Sequence, residues 1–376
     1  MKSNLPDSFL FREPGLQIIR LSGPPATLGF SHGQMLGPQI KHLRRQFLSY
    51  LSRLALGVGA LPLYLLACLA AWRLRPFIPQ PFWEEMRAIA EGARLHLSLI
   101  VLINVIDDLL NNIPRCSTFA ASLGGNQPPE FILARNLDYP LFTRSMCRLN
   151  TVFMLSPSAG QPLISVAWPG YIGVCTGMNA SRIALAQLTA SSRETSLAGV
   201  PTALRNRLGL QDHDSLLGVA ARIASQPGTI GNNLLLTAPH DALLLETSSR
   251  HTAVRLPVNN ILTATNHYQS PAMQALKGKA FRRPPFSPLP LYCFSDEYSF
   301  ARDRQMQQLL SDGPIDIVQA QHILADPLVA NPGDVTSAIF HPNASELYVA
   351  QSLTTPVSYG RYRRLSGLFG HQPLVI

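Results

Sequence analysis

From Trp83 to Leu110, apolar residues recur at spacings of three and four, with an interruption near Gly92 and a resumption after Ser98. That rhythm predicts two consecutive helices. Beyond Cys116 the texture changes to short apolar runs bounded by Gly, Pro, Asn or Asp. Residues 131–134, 151–155, 163–168, 172–176, 183–188, 234–237, 242–246 and 261–265 read as strands, as do 336–341 and 346–350 near the end. Helical spacing returns at 214–224, 301–310 and 315–324. A helical N-terminal third followed by many strands in series predicts an α+β fold with stacked antiparallel sheets. No internal repeat is visible, and the Pro-rich segment Arg282 to Pro290 reads as a surface loop before the next helix.

One stretch breaks the amphipathic pattern. Leu54 to Trp72 is uncharged and almost wholly apolar, with arginines at both ends, and is just long enough to cross a bilayer. Gly57, Gly59 and Pro62 in its first half and its internal position count against spanning. A membrane-surface or lipid-contacting helix and an ordinary buried helix remain as alternatives. From Leu21 to Trp83 there is no Asp or Glu, while Lys41, Arg44, Arg45, Arg53, Arg73 and Arg75 are present, a distribution suited to anionic lipid.

Composition narrows the class. The 376 residues are 46% hydrophobic and 14% charged, which excludes a disordered protein and leaves room for two domains or one large unit. The net charge of +9 favours acidic partners. No basic stripe with interleaved aromatics appears, so no nucleic-acid partner is expected. Five cysteines without a CxxC pair suggest neither a disulfide framework nor a zinc site, and a reducing, cytoplasmic location is the expectation, peripheral to a membrane if the apolar run contacts one. The N-terminus lacks the apolar run of a secretory signal, so Met1 is read as the start of the folded protein. Nucleotide-binding loops, HExxH and Gly-x-Ser-x-Gly are absent, and no cofactor or metal is expected.

The chemistry concentrates where helical texture gives way to strands. There stands Arg115-Cys116-Ser117-Thr118, and Arg135-Asn136-Leu137-Asp138 follows one strand later. A lone cysteine is ordinarily a small buried hydrophobe. A nucleophilic thiolate needs a nearby cation or base, and an arginine held by an aspartate supplies an oriented field.

These residues resemble the N-terminal-nucleophile (Ntn) cysteine hydrolases of the choloylglycine hydrolase, acid ceramidase and acyl-CoA:6-aminopenicillanic acid acyltransferase type, the last most of all. Gly29 to Ile40 (GFSHGQMLGPQI) is similar to the family's early G-x-x-H-G segment, and Glu85 to Asn104 to its helix pair before the cut. Cys116-Ser117-Thr118 resembles the exposed nucleophile and Arg135 to Asp138 the R-N-x-D motif. Gly177-Met178-Asn179 resembles the G-M-N turn, Thr265-Asn266-His267-Tyr268 the T-N-H-aromatic segment, and Ser299 to Arg302 the late Ser-x-x-Arg helix start.

The resemblance implies an αββα four-layer sandwich and a precursor that cuts its own Arg115–Cys116 bond. Residues 1–115, with a possible lipid-contacting helix at 54–72, and the sheet-rich catalytic 116–376 then remain associated as α and β chains of one composite domain. The freed α-amine of Cys116, with a reference pKa of about 7.7–8.0, becomes the base for its own thiol. By position, Asp138 holds the Cys116 amine or thiol, Arg135 sets the local field, Asn179 and Asn266 offer N–H donors to the oxyanion, and Arg302 completes the polar floor. The implied activity is hydrolysis or acyl transfer at a non-peptide amide through a Cys116 thioester, and the apolar segment points to a lipophilic small-molecule substrate. The structural alternatives are an Arg135–Asp138 ion pair, turn roles for Asn179 and Asn266, and a solvated Arg302 with Arg304 as rival. Asn232 and Asn233 rival the second oxyanion donor, and His267 reads as a structural histidine. A catalytically silent, membrane-associated protein that keeps the fold is the competing reading.

Overall fold

The computed structural model describes residues 9–55, 59–110, 115–124, 127–279, 281–369 and 374–375. The expected start at Met1, the middle of the apolar run at 56–58, and Ile113 and Pro114 before the expected cut lie outside the described residues. The chain opens with a hairpin that periodicity does not predict, β1 (Phe9–Glu13) and β2 (Leu16–Gly23). Helices α1 (Pro25–Leu54), α2 (Ala60–Trp72), α3 (Gln80–Ala93) and α4 (Leu97–Leu110) follow. Strands β3 (Arg115–Ser122) and β4 (Phe131–Asp138) lead through short α5 (Thr143–Arg148) to β5 (Thr151–Pro157), β6 (Leu163–Ala167), β7 (Thr176–Asn179) and β8 (Ala184–Thr189). Then come α6 (Thr202–Asp212), α7 (Leu216–Ala224), β9 (Asn232–Thr237), β10 (Ala242–Thr247), β11 (Thr252–Arg255) and β12 (Ile261–Ala264). The chain closes with α8 (Pro271–Gln274), α9 (Asp296–Ser311), α10 (Ile317–Ala325), β13 (Asp334–His341), β14 (Glu346–Gln351) and β15 (Arg361–Leu365).

Two sheets carry the architecture. One has the order β1-β2-β5-β6-β7-β8-β9-β10-β11, the other β12-β3-β4-β13-β14-β15. Strands β3 and β4 of the smaller sheet face β8 and β9 of the larger one, and Cys116, Ala120, Leu133 and Leu137 enter the core between them. The opposite face of the smaller sheet, with Phe119, Ala121, Ile132 and Ala134, packs on Met306, Leu310, Ile323 and Leu324 of α9 and α10. Helices α1, α6 and α7 cover the larger sheet. The result is the α+β, αββα four-layer arrangement. One pairing departs from the antiparallel expectation: β2 runs parallel to β5, Gln17 opposite Thr151 through Gly23 opposite Pro157. Parallel neighbours need a long crossover, supplied here by everything from α1 to α5.

Local reasons account for the rest. Helices α1 and α3 approach so closely that a Cβ on Gly29 would lie 2.1 Å from the Glu85 carbonyl oxygen, and one on Gly33 2.2 Å from that of Ile89. The G-x-x-H-G segment is therefore a helix-packing device, and His32 Nε2 accepts from Gly170 N at 2.8 Å. The two helices read from Trp83 to Leu110 are α3 and α4, separated by Arg94 in the left-handed conformation. The strand expected at 172–176 begins only at Thr176, because Ile172 N and Val174 N bond to Asn104 Oδ1 and the Ala203 carbonyl instead of a neighbouring strand. The apolar run is not one helix: α1 ends at Leu54 and α2 begins at Ala60. Among the described residues no helix is long and apolar enough to cross a membrane. In α2 only Cys68 and Ala71 are buried, while Leu61, Leu65, Leu66 and Leu69 are 57–67% exposed.

Candidate active site

The β3–β4 register decides what faces what. Cys116 stands opposite Leu137, Thr118 opposite Arg135 and Arg115 opposite Asp138. Side chains alternate across a strand, so Cys116 and Arg135 share the face between the sheets, whereas Asp138, Ser117 and Arg115 share the face toward α9. An arginine and an aspartate three positions apart on one strand thus serve opposite sides of the same residue.

On the inner face, Arg135 Nη2 donates to Cys116 Sγ at 3.0 Å, and its Nη1 donates to the Cys175 carbonyl and Thr176 Oγ1 at 2.7 and 2.6 Å. The Cys116 backbone N donates to Asn266 Oδ1 at 2.9 Å. Cys116 is 1% exposed. Burial pushes its thiol up to about 11, against the pull of Arg135 and of a hydrogen bond from the Asp138 backbone. Such a shift favours the protonated thiol near neutral pH.

On the outer face, Arg302 Nη1 meets Asp138 Oδ2 at 2.7 Å, with both side chains essentially buried. Arg302 also donates from Nε to the Val329 carbonyl at 2.9 Å and from Nη2 to Ser117 Oγ at 3.0 Å. Burial raises the Asp138 carboxyl to about 6, while Arg302 holds it down. Burial acts to lower Arg302, and the Asp138 carboxylate more than offsets that, leaving it raised. Of the two neighbouring arginines, Arg302 is buried against Asp138 and Arg304 is exposed. Arg135 and Asp138 do not pair with each other; each has its own partner.

The asparagines depart from the expected geometry. Both Nδ2 hydrogens of Asn179 are taken up by the Leu210 and His213 carbonyls, at 2.9 and 2.8 Å, which closes the C-terminal end of α6. So bonded, Asn179 offers no N–H to an oxyanion. Asn233 Nδ2 is similarly bonded to the Thr265 and His267 carbonyls, and Asn232 Nδ2 to Thr202 Oγ1 and the Ile230 carbonyl. Asn266 does reach Cys116, but with its oxygen, as an N–H donor requires; its Nδ2 donates to the Thr189 carbonyl at 2.8 Å.

Ser299 and Arg115, named in the sequence only as a helix start and a cleavage position, have contacts of their own. Ser299 Oγ accepts from Asn266 N at 3.0 Å, so the first turn of α9 holds Asn266 while the next holds Asp138 through Arg302. The S-x-x-R spacing is the signal for this, both residues lying on one helix face. Arg115 is 2% exposed, with its guanidinium 3.6 Å from the Phe281 ring centroid. His267 bonds Thr265 Oγ1 and Ser299 Oγ and is lowered to about 4, first by burial and then by Arg255, a structural role. Among the described residues no cluster of three or more His, Cys, Asp or Glu is placed to hold a metal ion.

A buried cysteine near the start of a central strand, its sulfur bonded by an arginine, thus lies within a four-layer α+β fold. The family described as acyl-coenzyme A:6-aminopenicillanic acid acyl-transferase matches residues 122–320, just over half of the sequence, and the chain belongs to that family. The match includes Arg135, Asp138, Asn179, Asn266 and Arg302 but not Cys116. Over 228 residues the chain is 24% identical to an Archaeoglobus fulgidus protein described as uncharacterized, covering 54% of this chain and 38% of that protein. It is 24% identical over 186 residues to protein dcd1A of Dictyostelium discoideum, covering 43% and 42%. Over 108 residues it is 27% identical to the Mus musculus N-acylethanolamine-hydrolyzing acid amidase, covering 28% of each. The chain thus spans under half the length of these curated relatives. Similar solved structures include the Caenorhabditis elegans N-acylethanolamine-hydrolyzing acid amidase ortholog (TM-score 0.46, 13% identity, 60% of this chain and 93% of that one). Penicillin V acylase from Agrobacterium tumefaciens is another (TM-score 0.41, 12% identity, 67% and 86%).

Proposed function

We propose that this chain is a self-processing cysteine amidohydrolase or acyltransferase acting on a lipophilic, non-peptide amide. The observation that carries the reading is the double grip on Cys116, with Arg135 on its sulfur at 3.0 Å and Asn266 on its backbone N–H at 2.9 Å. In the first step Cys116 Sγ attacks the Arg115 carbonyl carbon, the Arg115–Cys116 C–N bond breaks, and the nitrogen takes the thiol proton. Water then hydrolyses the thioester, freeing the Arg115 carboxylate and the Cys116 α-amine. That amine is the base the uncut site lacks, and it takes the thiol proton when Sγ attacks a substrate acyl carbonyl. The α-ammonium passes that proton to the substrate amine as its C–N bond breaks, and water or an acceptor amine resolves the thioester. Arg135 stabilises the thiolate, Arg302 and Asp138 fix the strand end from behind, and Asn266 orients the amine. Asn179 acts as the support of the turn after β7, in place of the oxyanion role its motif suggests.

Residues 1–115 and 116–376 stay together after the cut in this reading, which the β2–β5 ladder and the buried Glu85–Arg207 pair at 2.8 Å support. The exposed leucines of α2, beside Arg73 and Arg75, support contact with an anionic membrane surface from which a lipophilic amide is drawn. The rival, a catalytically silent protein of the same fold, draws on the burial of the thiol. Peptide mapping after incubation with dodecanoyl amides of several amines separates the two. A hydroxylamine-labile dodecanoyl group on Cys116 and release of the amine are expected; an unmodified Cys116 with no amine released from any of them rejects the enzyme reading.

A further inference from the structure

The strand that presents Cys116 begins with a charge in an unusual setting. Arg115 is the first residue of β3, its side chain lies on the face toward α9, and it is 2% exposed. Its guanidinium Nε and Nη2 are buried without a hydrogen-bond partner. Among the described residues no carboxylate pairs with it either: Asp138, opposite it on β4, is taken by Arg302 at 2.7 Å, and Asp296 by Lys277 at 2.6 Å. Its contacts are aromatic instead. The guanidinium carbon lies 3.6 Å from the Phe281 ring centroid and 5.6 Å from that of Phe294. Both rings come from the Pro-rich segment ahead of α9, which runs along the surface but turns Phe281, Leu289, Cys293 and Phe294 inward as one apolar cluster. Ser287 Oγ donates to the Pro140 carbonyl at 2.8 Å and pins that segment to the chain just beyond β4.

A buried cation without a carboxylate costs stability, and an aromatic face offsets only part of that, so the arrangement is a poor structural device. Methionine would fill the same apolar surroundings and leave no donor unpaired; packing alone therefore favours an apolar side chain here. Burial, and then the like charge of Arg302, lower Arg115 to about 9, which still leaves it charged near neutral pH. Arg115 is also the residue whose carbonyl Cys116 attacks in the proposed self-cleavage. We propose that Phe281 and Phe294 form a cage that recognises the Arg115 cation and thereby fixes the Arg115–Cys116 peptide for the cut, which makes Phe281 a positioning residue and Arg115 the specificity determinant of self-processing, the reaction on which this inference rests. Fixing the attacked carbonyl raises the rate, because a misplacement of about 1 Å at a reacting centre costs on the order of a hundredfold.

The test follows cell-free synthesis of the full chain, which starts uncut, and reads the fraction cleaved with time by intact mass. Arg115→Met and Phe281→Leu are each expected to slow the cut about tenfold. Phe281→Tyr keeps the aromatic face and is expected to restore the rate to within about threefold of the parent. Adding Phe281→Leu to Arg115→Met should slow the cut little further, since the cage then has no cation to hold. Urea unfolding in the Cys116→Ala background separates positioning from structural damage: there Arg115→Met should unfold at a midpoint no lower than its parent. A parental rate for Arg115→Met overturns the proposal, as does a slow cut that comes with a lowered midpoint, or a Phe281→Tyr chain as slow as Phe281→Leu. These outcomes leave self-cleavage itself standing, whereas a parent chain that never cuts overturns both.

Discussion

Arg302→Met removes one guanidinium and keeps most of the side-chain stem. Three contacts vanish: the Asp138 carboxylate at 2.7 Å, Ser117 Oγ at 3.0 Å and the Val329 carbonyl at 2.9 Å. Removing one partner of a buried ion pair costs about 3–5 kcal/mol, because the remaining charge is left without compensation. Two neutral acceptors are orphaned as well, so the upper part of that range is expected here. In the Cys116→Ala background the protein stays a single chain, and urea unfolding at pH 8 reads the loss directly. Arg304→Met, at the exposed rival position, is expected to change stability by less than about 0.5 kcal/mol. Adding Asp138→Asn to Arg302→Met removes the stranded charge, so the double variant should lie at least about 2 kcal/mol above the sum of the singles. The Arg302→Met deficit should also shrink at pH 5, where Asp138 is already protonated. Additive single effects, or a loss below about 1 kcal/mol, would refute the view that Arg302 compensates Asp138 from the far side of β3.

The uncut chain should gain stability on acidification from pH 8 to 6.5. Asp107 and Asp334 have folded pKa values raised to about 7, mainly by burial, above an unfolded value of about 3.9, so the folded state takes up protons first as pH falls. His32 and His267, lowered to about 3 and 4, oppose this by protonating only in the unfolded chain, leaving a net gain of about 1 kcal/mol. Asp334→Asn should flatten the pH profile measured by urea unfolding; an unaltered slope contradicts the assignment. Gly33→Ala should destabilise by about 2 kcal/mol or more in the same assay, since its Cβ has only 2.2 Å to the Ile89 carbonyl oxygen and must part α1 from α3. Replacing Leu61, Leu65, Leu66 and Leu69 by Ser should reduce co-sedimentation with anionic vesicles without lowering the melting temperature, because those side chains are exposed; retained binding removes α2 from the membrane reading.

Much of this architecture is legible where the information is local. Helices α3 and α4 follow from spacing, and most strands after Cys116 follow from short apolar runs between turn residues. The hairpin of β1 and β2 is not, because Leu16, Gln17, Ile18 and Ile19 are all buried and the strand shows no alternation. Its parallel partner β5 lies far downstream, and no local rhythm records such a pairing. The pairing of Arg135 with Cys116 and of Asp138 with α9 needs the β3–β4 register, which assigns them to opposite faces. The G-M-N motif marks a turn at Asn179, but the direction of its amide hydrogens is set by the end of α6, remote in sequence. Arg302 and Arg304 differ only in which helix face meets β3, and burial separates them.

The most direct test of the nucleophile is the intact mass of the purified protein under denaturing, reducing conditions beside that of Cys116→Ala. Self-processing predicts two masses for the first, corresponding to residues 1–115 and 116–376, and one uncut mass for the variant. An uncut protein in both samples, or the same cut in both, contradicts a nucleophilic Cys116.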